Sequence, residues 1–122
     1  MNAPALDALR KAMLERRIDA WCVYDFRNSN HVFPRLLPPP PGSSAAASGK
    51  RHVTRRLFFI IPAGSDPTPP TLLVHGLDAN NFEGHNAPDP ALKITLRKYT
   101  SWVELHAALN ELLPGGRIAM EY

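Results

Sequence analysis

The chain is organised around an unbroken run of five apolar residues, Leu57-Phe58-Phe59-Ile60-Ile61, opened by Arg55 and Arg56 and closed by Pro62. A half-wet strand would alternate, so a short β-branched and aromatic run predicts a strand covered on both faces. Burying each such side chain gains about 1.5–3 kcal/mol against about 1.5 kcal/mol of ordering entropy per residue, which favours the strand only where both sides are packed. Two helical patterns can supply that packing. In the first, Leu6, Leu9, Met13 and Leu14 share a face between Leu6 and Arg17. Pro4 sits in its first turn, Asn2 or Ala3 caps it, Asp7 and the pair Arg16 and Arg17 suit its dipole, and Asp19 ends it. In the second, Ser101-Trp102-Val103-Glu104 forms a capping box, Trp102, Leu105, Leu109, Leu112 and Leu113 form the stripe, and Pro114-Gly115-Gly116 is the stop.

Four further strands are expected. Ala20 to Tyr24 follows the first helix after almost no loop. Thr71 to His75 lies close enough to the central run to pair with it as an antiparallel hairpin. Leu92 to Tyr99 alternates, with Leu92, Ile94 and Leu96 opposite Lys93, Thr95 and Arg97, as a strand near an edge does. Arg117 to Tyr122 is strand-like and stops abruptly, which suggests a chain cut from something longer. Helical turns are expected within 29–33 and 76–86. The resulting fold class is α/β, a three-layer arrangement of a mixed sheet of about five strands with helices on both faces. A flavodoxin-like sheet is the nearest rival, although no phosphate loop accompanies it.

Composition narrows the function more than it specifies it. With 122 residues the chain forms a single domain, 1–122, and its 44% hydrophobic content is that of a globular protein. The 13 prolines cluster in loops, and the Pro/Ala/Ser/Gly-rich segment 37–50 reads as a flexible surface loop. The formal charge of +3 comes from basic residues spread over both helices and several loops, so no nucleic-acid partner is expected. Cys22 is the only cysteine, which excludes an internal disulfide and a cysteine zinc cage, and its place in an apolar strand makes it a buried small hydrophobe. No leader pattern and no apolar stretch near about 18 residues is present, so a soluble cytoplasmic protein with no membrane partner is expected.

Chemistry is sparse. His31, His52, His75, His85 and His106 form no His-Glu-x-x-His motif, and the clusters Glu83 with His85 and His75 with Asp78 read as solvated or hydrogen-bonded loop groups. Neither a phosphate-cradling glycine motif nor a Gly-x-Ser-x-Gly elbow occurs. No catalytic residue, metal ligand or cofactor site is expected in this chain. The segment Asp25-Phe26-Arg27-Asn28-Ser29-Asn30, leaving the first strand, lies where α/β sheets bind ligands. Arg27 with Asn28 and Asn30 suits a carboxylate or peptide group, and the same residues equally suit a plain backbone turn.

Taken in order, several segments resemble the N-terminal domain of the creatinase, aminopeptidase P and prolidase family of metallopeptidases. They are 6–13, Arg17-Ile18-Asp19-Ala20, 25–30, 54–62, Leu73-Val74-His75 and 113–122. The resemblance implies a ribonuclease-H-like sheet and a non-catalytic accessory role in an Xaa-Pro aminopeptidase or dipeptidase-like hydrolase. Catalysis would belong to a C-terminal pita-bread domain holding two divalent ions, manganese, cobalt or zinc, and the parent is expected to be a homodimer. Phe26, Arg27, Asn28 and Asn30 would then face the catalytic domain and shape substrate access, with Arg55 and Arg56 as weaker candidates. The alternative is a free-standing α/β ligand-binding or protein-interaction module.

Overall fold

A computed structural model describes residues 1–39, 53–64, 68–82, 91–113 and 115–121. The unbroken apolar run is the middle of its sheet. Arg56–Pro62 is β2, flanked by β1 (Ala20–Phe26) and β3 (Thr71–His75), with β4 (Thr95–Tyr99) and β5 (Ile118–Glu121) outside them in the order β4-β3-β2-β1-β5. β2 is antiparallel to both neighbours, while β1 with β5 and β3 with β4 are parallel pairs, so the sheet is mixed. The expected hairpin is present, with Phe59 opposite Leu72, and its antiparallel centre excludes an all-parallel flavodoxin-like sheet.

Both faces of β2 are buried, as its composition requires. Val23, Leu57, Phe59, Ile61 and Val74 share one core with Leu6 of α1 (Ala3–Glu15) and Phe33 of α2 (Phe33–Leu36). Cys22, Phe58, Ile60 and Leu73 share another with Leu105 and Ala108 of α3 (Trp102–Leu112). Residues two apart on a strand reach the same face, which is how one run serves two cores.

Local chemistry sets the element ends. Asn2 caps α1, its side-chain oxygen accepting from the Ala5 N–H at 2.9 Å. The helix stops at Glu15, two residues short of the expected end, because Arg17 turns to φ 55°. Leu14 is exposed and Arg10 is buried, so the apolar face is rotated from the sequence expectation. Ser101 caps α3 as expected, accepting from the Glu104 N–H at 3.2 Å. The Glu104 carboxylate, however, reaches one residue further back, to the Thr100 N–H at 2.8 Å and its hydroxyl at 2.9 Å. Gly116 has φ 137°, and a Cβ there would meet the Asp19 carboxylate oxygen at 2.2 Å. That carboxylate accepts from the Arg117 N–H at 2.8 Å and so ties the start of β1 to the start of β5.

Several expected boundaries move. Asp25 and Phe26 belong to β1 and not to the loop after it, and the helical turn expected within 29–33 is α2 at Phe33–Leu36. β4 starts at Thr95, and Leu92 is buried in the α1-side core ahead of it. The turn expected within 76–86 is a 3₁₀ turn at Ala79–Asn81. The flexible loop expected at 37–50 lies outside the described residues from residue 40 onward, as do His52, Glu83 and His85. No helix among the described residues is long and apolar enough to cross a membrane.

Candidate functional site at the strand ends

β1, β3, β4 and β5 run in one direction and β2 in the other, so four strand exits and one strand start meet at the same end of the sheet. Register brings together the last residue of β1 and the first of β2, Phe26 opposite Arg56, and the last residues of β3 and β4, His75 opposite Tyr99. α3 begins beside them with Trp102. The Arg56 guanidinium carbon lies 4.9 Å from the Phe26 ring centre and 5.1 Å from that of Trp102, so this arginine is held by two aromatic rings. Arg27 approaches Phe26 at 5.8 Å. Cation–π contacts of this kind contribute about 0.5–1 kcal/mol at exposed sites and fix the plane of the guanidinium.

Behind the clamp is a cleft of about 240 Å³ whose lining includes Arg55, Arg56, His75, Tyr99, Trp102 and Leu105. The Tyr99 hydroxyl donates to the Arg56 carbonyl at 2.5 Å, holding the β2 backbone under the clamp. Burial raises the Tyr99 pKa while nearby Arg56 pulls it down, so the phenol stays a donor at neutral pH. His75 packs edge-on against Tyr99 with ring centres 5.3 Å apart, and its Nδ1 accepts from the Leu77 N–H at 3.0 Å. Asp78 is buried and accepts from the Thr54 N–H and hydroxyl and from the Arg55 N–H at 2.8–3.1 Å. These bonds fix the backbone leading into β2, and therefore the position from which Arg55 and Arg56 project.

Of the four residues expected at the site, the structure brings Phe26 and Arg27 to the clamp. Arg27 and Asn28 occupy the two central positions of a turn closed by the Ser29 N–H donating to the Phe26 carbonyl at 3.1 Å. Their φ values are 54° and 63°. Asn accepts this left-handed backbone readily; an arginine there costs on the order of 1 kcal/mol. The Asp25 carboxylate holds the turn, accepting from the Asn28 N–H at 3.0 Å and the Asn30 N–H at 2.7 Å. Asn30 is turned inward and is 3% exposed. Its amide nitrogen donates to the Tyr24 and Glu121 carbonyls, and its oxygen accepts from the Val32 and Phe33 N–H groups. Its polar atoms are thus occupied within the fold.

Trp102 is the site residue that the sequence pattern misplaces. It was expected in the buried stripe of α3, yet it is 60% exposed and its neighbour Val103 is 79% exposed. At the first position of the helix its ring meets the Arg56 guanidinium and, with ring centres 5.9 Å apart, the His106 ring one turn on. A tryptophan directly after a helix cap is the available signal.

A larger cleft of about 360 Å³ lies on the opposite side, beside α1, and its one arginine, Arg10, donates to the Thr68 carbonyl. Cys22 is buried and its thiol is pushed up to about 11 by desolvation. Iodoacetamide at pH 8 is therefore expected to leave Cys22 unmodified in the folded chain and to alkylate it fully in denaturant, which intact-mass spectrometry reads directly. Among the described residues no group of three or more His, Cys, Asp or Glu side chains is arranged to hold a metal ion. No family model matches the chain, and no curated protein matches it either.

Proposed function

We propose that the chain is the non-catalytic N-terminal accessory domain of an Xaa-Pro aminopeptidase or dipeptidase-like metallohydrolase, shaping substrate access and oligomerisation. The observation that carries this reading is the placement of the resembling segments. They fall in chain order on α1, β1, β2, β3 and β5 of one mixed sheet, and several of them converge on the strand end that holds Phe26, Arg27 and Arg56. A ribonuclease-H-like sheet of the creatinase type belongs to the same proposal. In this proposal the two divalent ions, manganese, cobalt or zinc, belong to a C-terminal pita-bread domain of the same polypeptide. A cytoplasmic homodimer completes the reading.

The reading predicts an open reading frame that continues past Tyr122 into a domain with two Asp, one His and two Glu ligands. In that full-length protein Arg27→Ala is expected to raise KM for Xaa-Pro peptides about tenfold with kcat retained, the cost of one charge-assisted hydrogen bond. A stop codon after Tyr122, or unchanged kinetics across several peptide lengths, would overturn it. The exposure of Trp102 and Val103 favours the second reading, a free-standing α/β ligand-binding or protein-interaction module, should the frame end there.

A further inference from the structure

We infer that the α3 side of the strand end is a docking site for an acidic peptide segment, with Arg56 as the carboxylate receptor and Trp102 as the apolar seat. Binding here needs no catalytic domain, so it stands or fails independently of the accessory-domain reading.

Charge and geometry carry the inference together. Arg27, Arg55 and Arg56 form no ion pair among the described residues, where the ion pair present is Arg97 with Glu111, on β4 and α3. The nearby carboxylates are turned away. Asp25 and Asp78 are 1% and 3% exposed and accept from backbone N–H groups, and Glu104 accepts from Thr100. The three guanidiniums at this face therefore have no carboxylate partner among the described residues. Arg56 adds direction to that charge, because two rings hold its guanidinium while it makes no side-chain hydrogen bond among the described residues. A planar donor fork fixed in this way matches a carboxylate, which it meets through paired N–H bonds.

The surroundings choose the occupant. The 240 Å³ cleft and the exposed Trp102 and Val103 give an apolar side chain somewhere to sit beside the carboxylate, which a small free anion would leave empty. Nucleic acid fits less well. The cations form a cluster around Phe26 and the cleft, and not a track along a backbone. The left-handed backbone at Arg27 is consistent with this use, since that turn holds a costly residue at the cationic surface where glycine would relax it.

The test uses the 122-residue chain and a blocked peptide of alternating Glu and Leu, acetylated and amidated so that only side-chain carboxylates are read. Titration followed by ¹H–¹⁵N NMR is expected to shift the Trp102 indole saturably and leave that of Trp21 in place. Affinity is expected to fall about tenfold for the Gln-and-Leu peptide and for Arg56→Ala, and to fall clearly for Arg56→Lys, which keeps charge and loses the fork. Trp102→Ala, at an exposed position, should weaken binding with the circular dichroism spectrum unchanged, and so tests the site even where an Arg56 variant misfolds. Equal binding of the Glu and Gln peptides, or wild-type affinity in folded Trp102→Ala and Arg56→Ala, would overturn the inference. So would sodium glutamate binding as tightly as the peptide, or a single-stranded oligonucleotide binding more tightly than it.

Discussion

Truncating Phe59 to alanine is expected to lower the unfolding free energy by about 4 kcal/mol, in the range for a buried phenylalanine whose cavity cannot collapse. Phe59 is 1% exposed in the middle strand, with β1 and β3 paired on either side of it, so neither neighbour can move in to fill the space. Its ring also joins an aromatic series, with Phe33 of α2 at 6.1 Å and Phe33 in turn 6.3 Å from Phe82 after the 3₁₀ turn. Losing it removes one of the contacts that seat α2 on the sheet. Because a domain of this kind has only about 5–15 kcal/mol of stability, the variant should show a marked fall in the urea midpoint. Phe59→Leu, which keeps most of the volume, should lose less than half as much. Equal losses for the two variants would mean that the site relaxes freely and that the fixed neighbours are not what makes the cavity costly.

That central strand was legible because nothing interrupts its apolar run, and a strand with two dry faces has one place in a layered fold. Both longer helices were legible through their ends, Asn2 for α1 and Ser101 for α3, where side-chain oxygens meet specific backbone donors. The end of β1 was harder to read. An aspartate is a poor strand former, and Asp25 stays in the strand because its carboxylate folds back onto the N–H groups of Asn28 and Asn30. Half of the site was legible for a related reason. Phe26 and Arg27 follow an apolar strand in the position where ligands gather, and Arg56 is a weaker candidate from the sequence, but its clamp depends on which residue of β2 lies opposite Phe26 and on where α3 starts. Register and helix placement depend on contacts distant in sequence, and no local pattern records them.

The same long-range character makes Asn30 the second sensitive position, with Asn30→Ala expected to cost about 3 kcal/mol, since the substitution strands several buried polar groups at once. The amide joins three elements. It donates at 2.8 Å to the Tyr24 carbonyl of β1 and at 3.2 Å to the Glu121 carbonyl of β5, and accepts at 2.8 and 3.0 Å from the N–H groups of Val32 and Phe33 where α2 begins. No serine or threonine side chain caps α2, so Asn30 acts as its cap from outside the helix. Asn30→Asp separates the two halves of this role. It keeps the acceptor for α2, removes both donors, and sets a second carboxylate beside Asp25, whose oxygen accepts from the Asn30 N–H at 2.7 Å. The aspartate variant should therefore be destabilised at neutral pH and recover stability as the pH falls and the added carboxylate is protonated, whereas the alanine variant should show no such recovery relative to wild type. Amide hydrogen exchange should locate the loss, with faster exchange at Phe33 and along β5 in Asn30→Ala and an unaltered β3. Unchanged protection at Phe33 and β5 would mean that Asn30 joins nothing, and would return it to the list of residues free to meet a ligand.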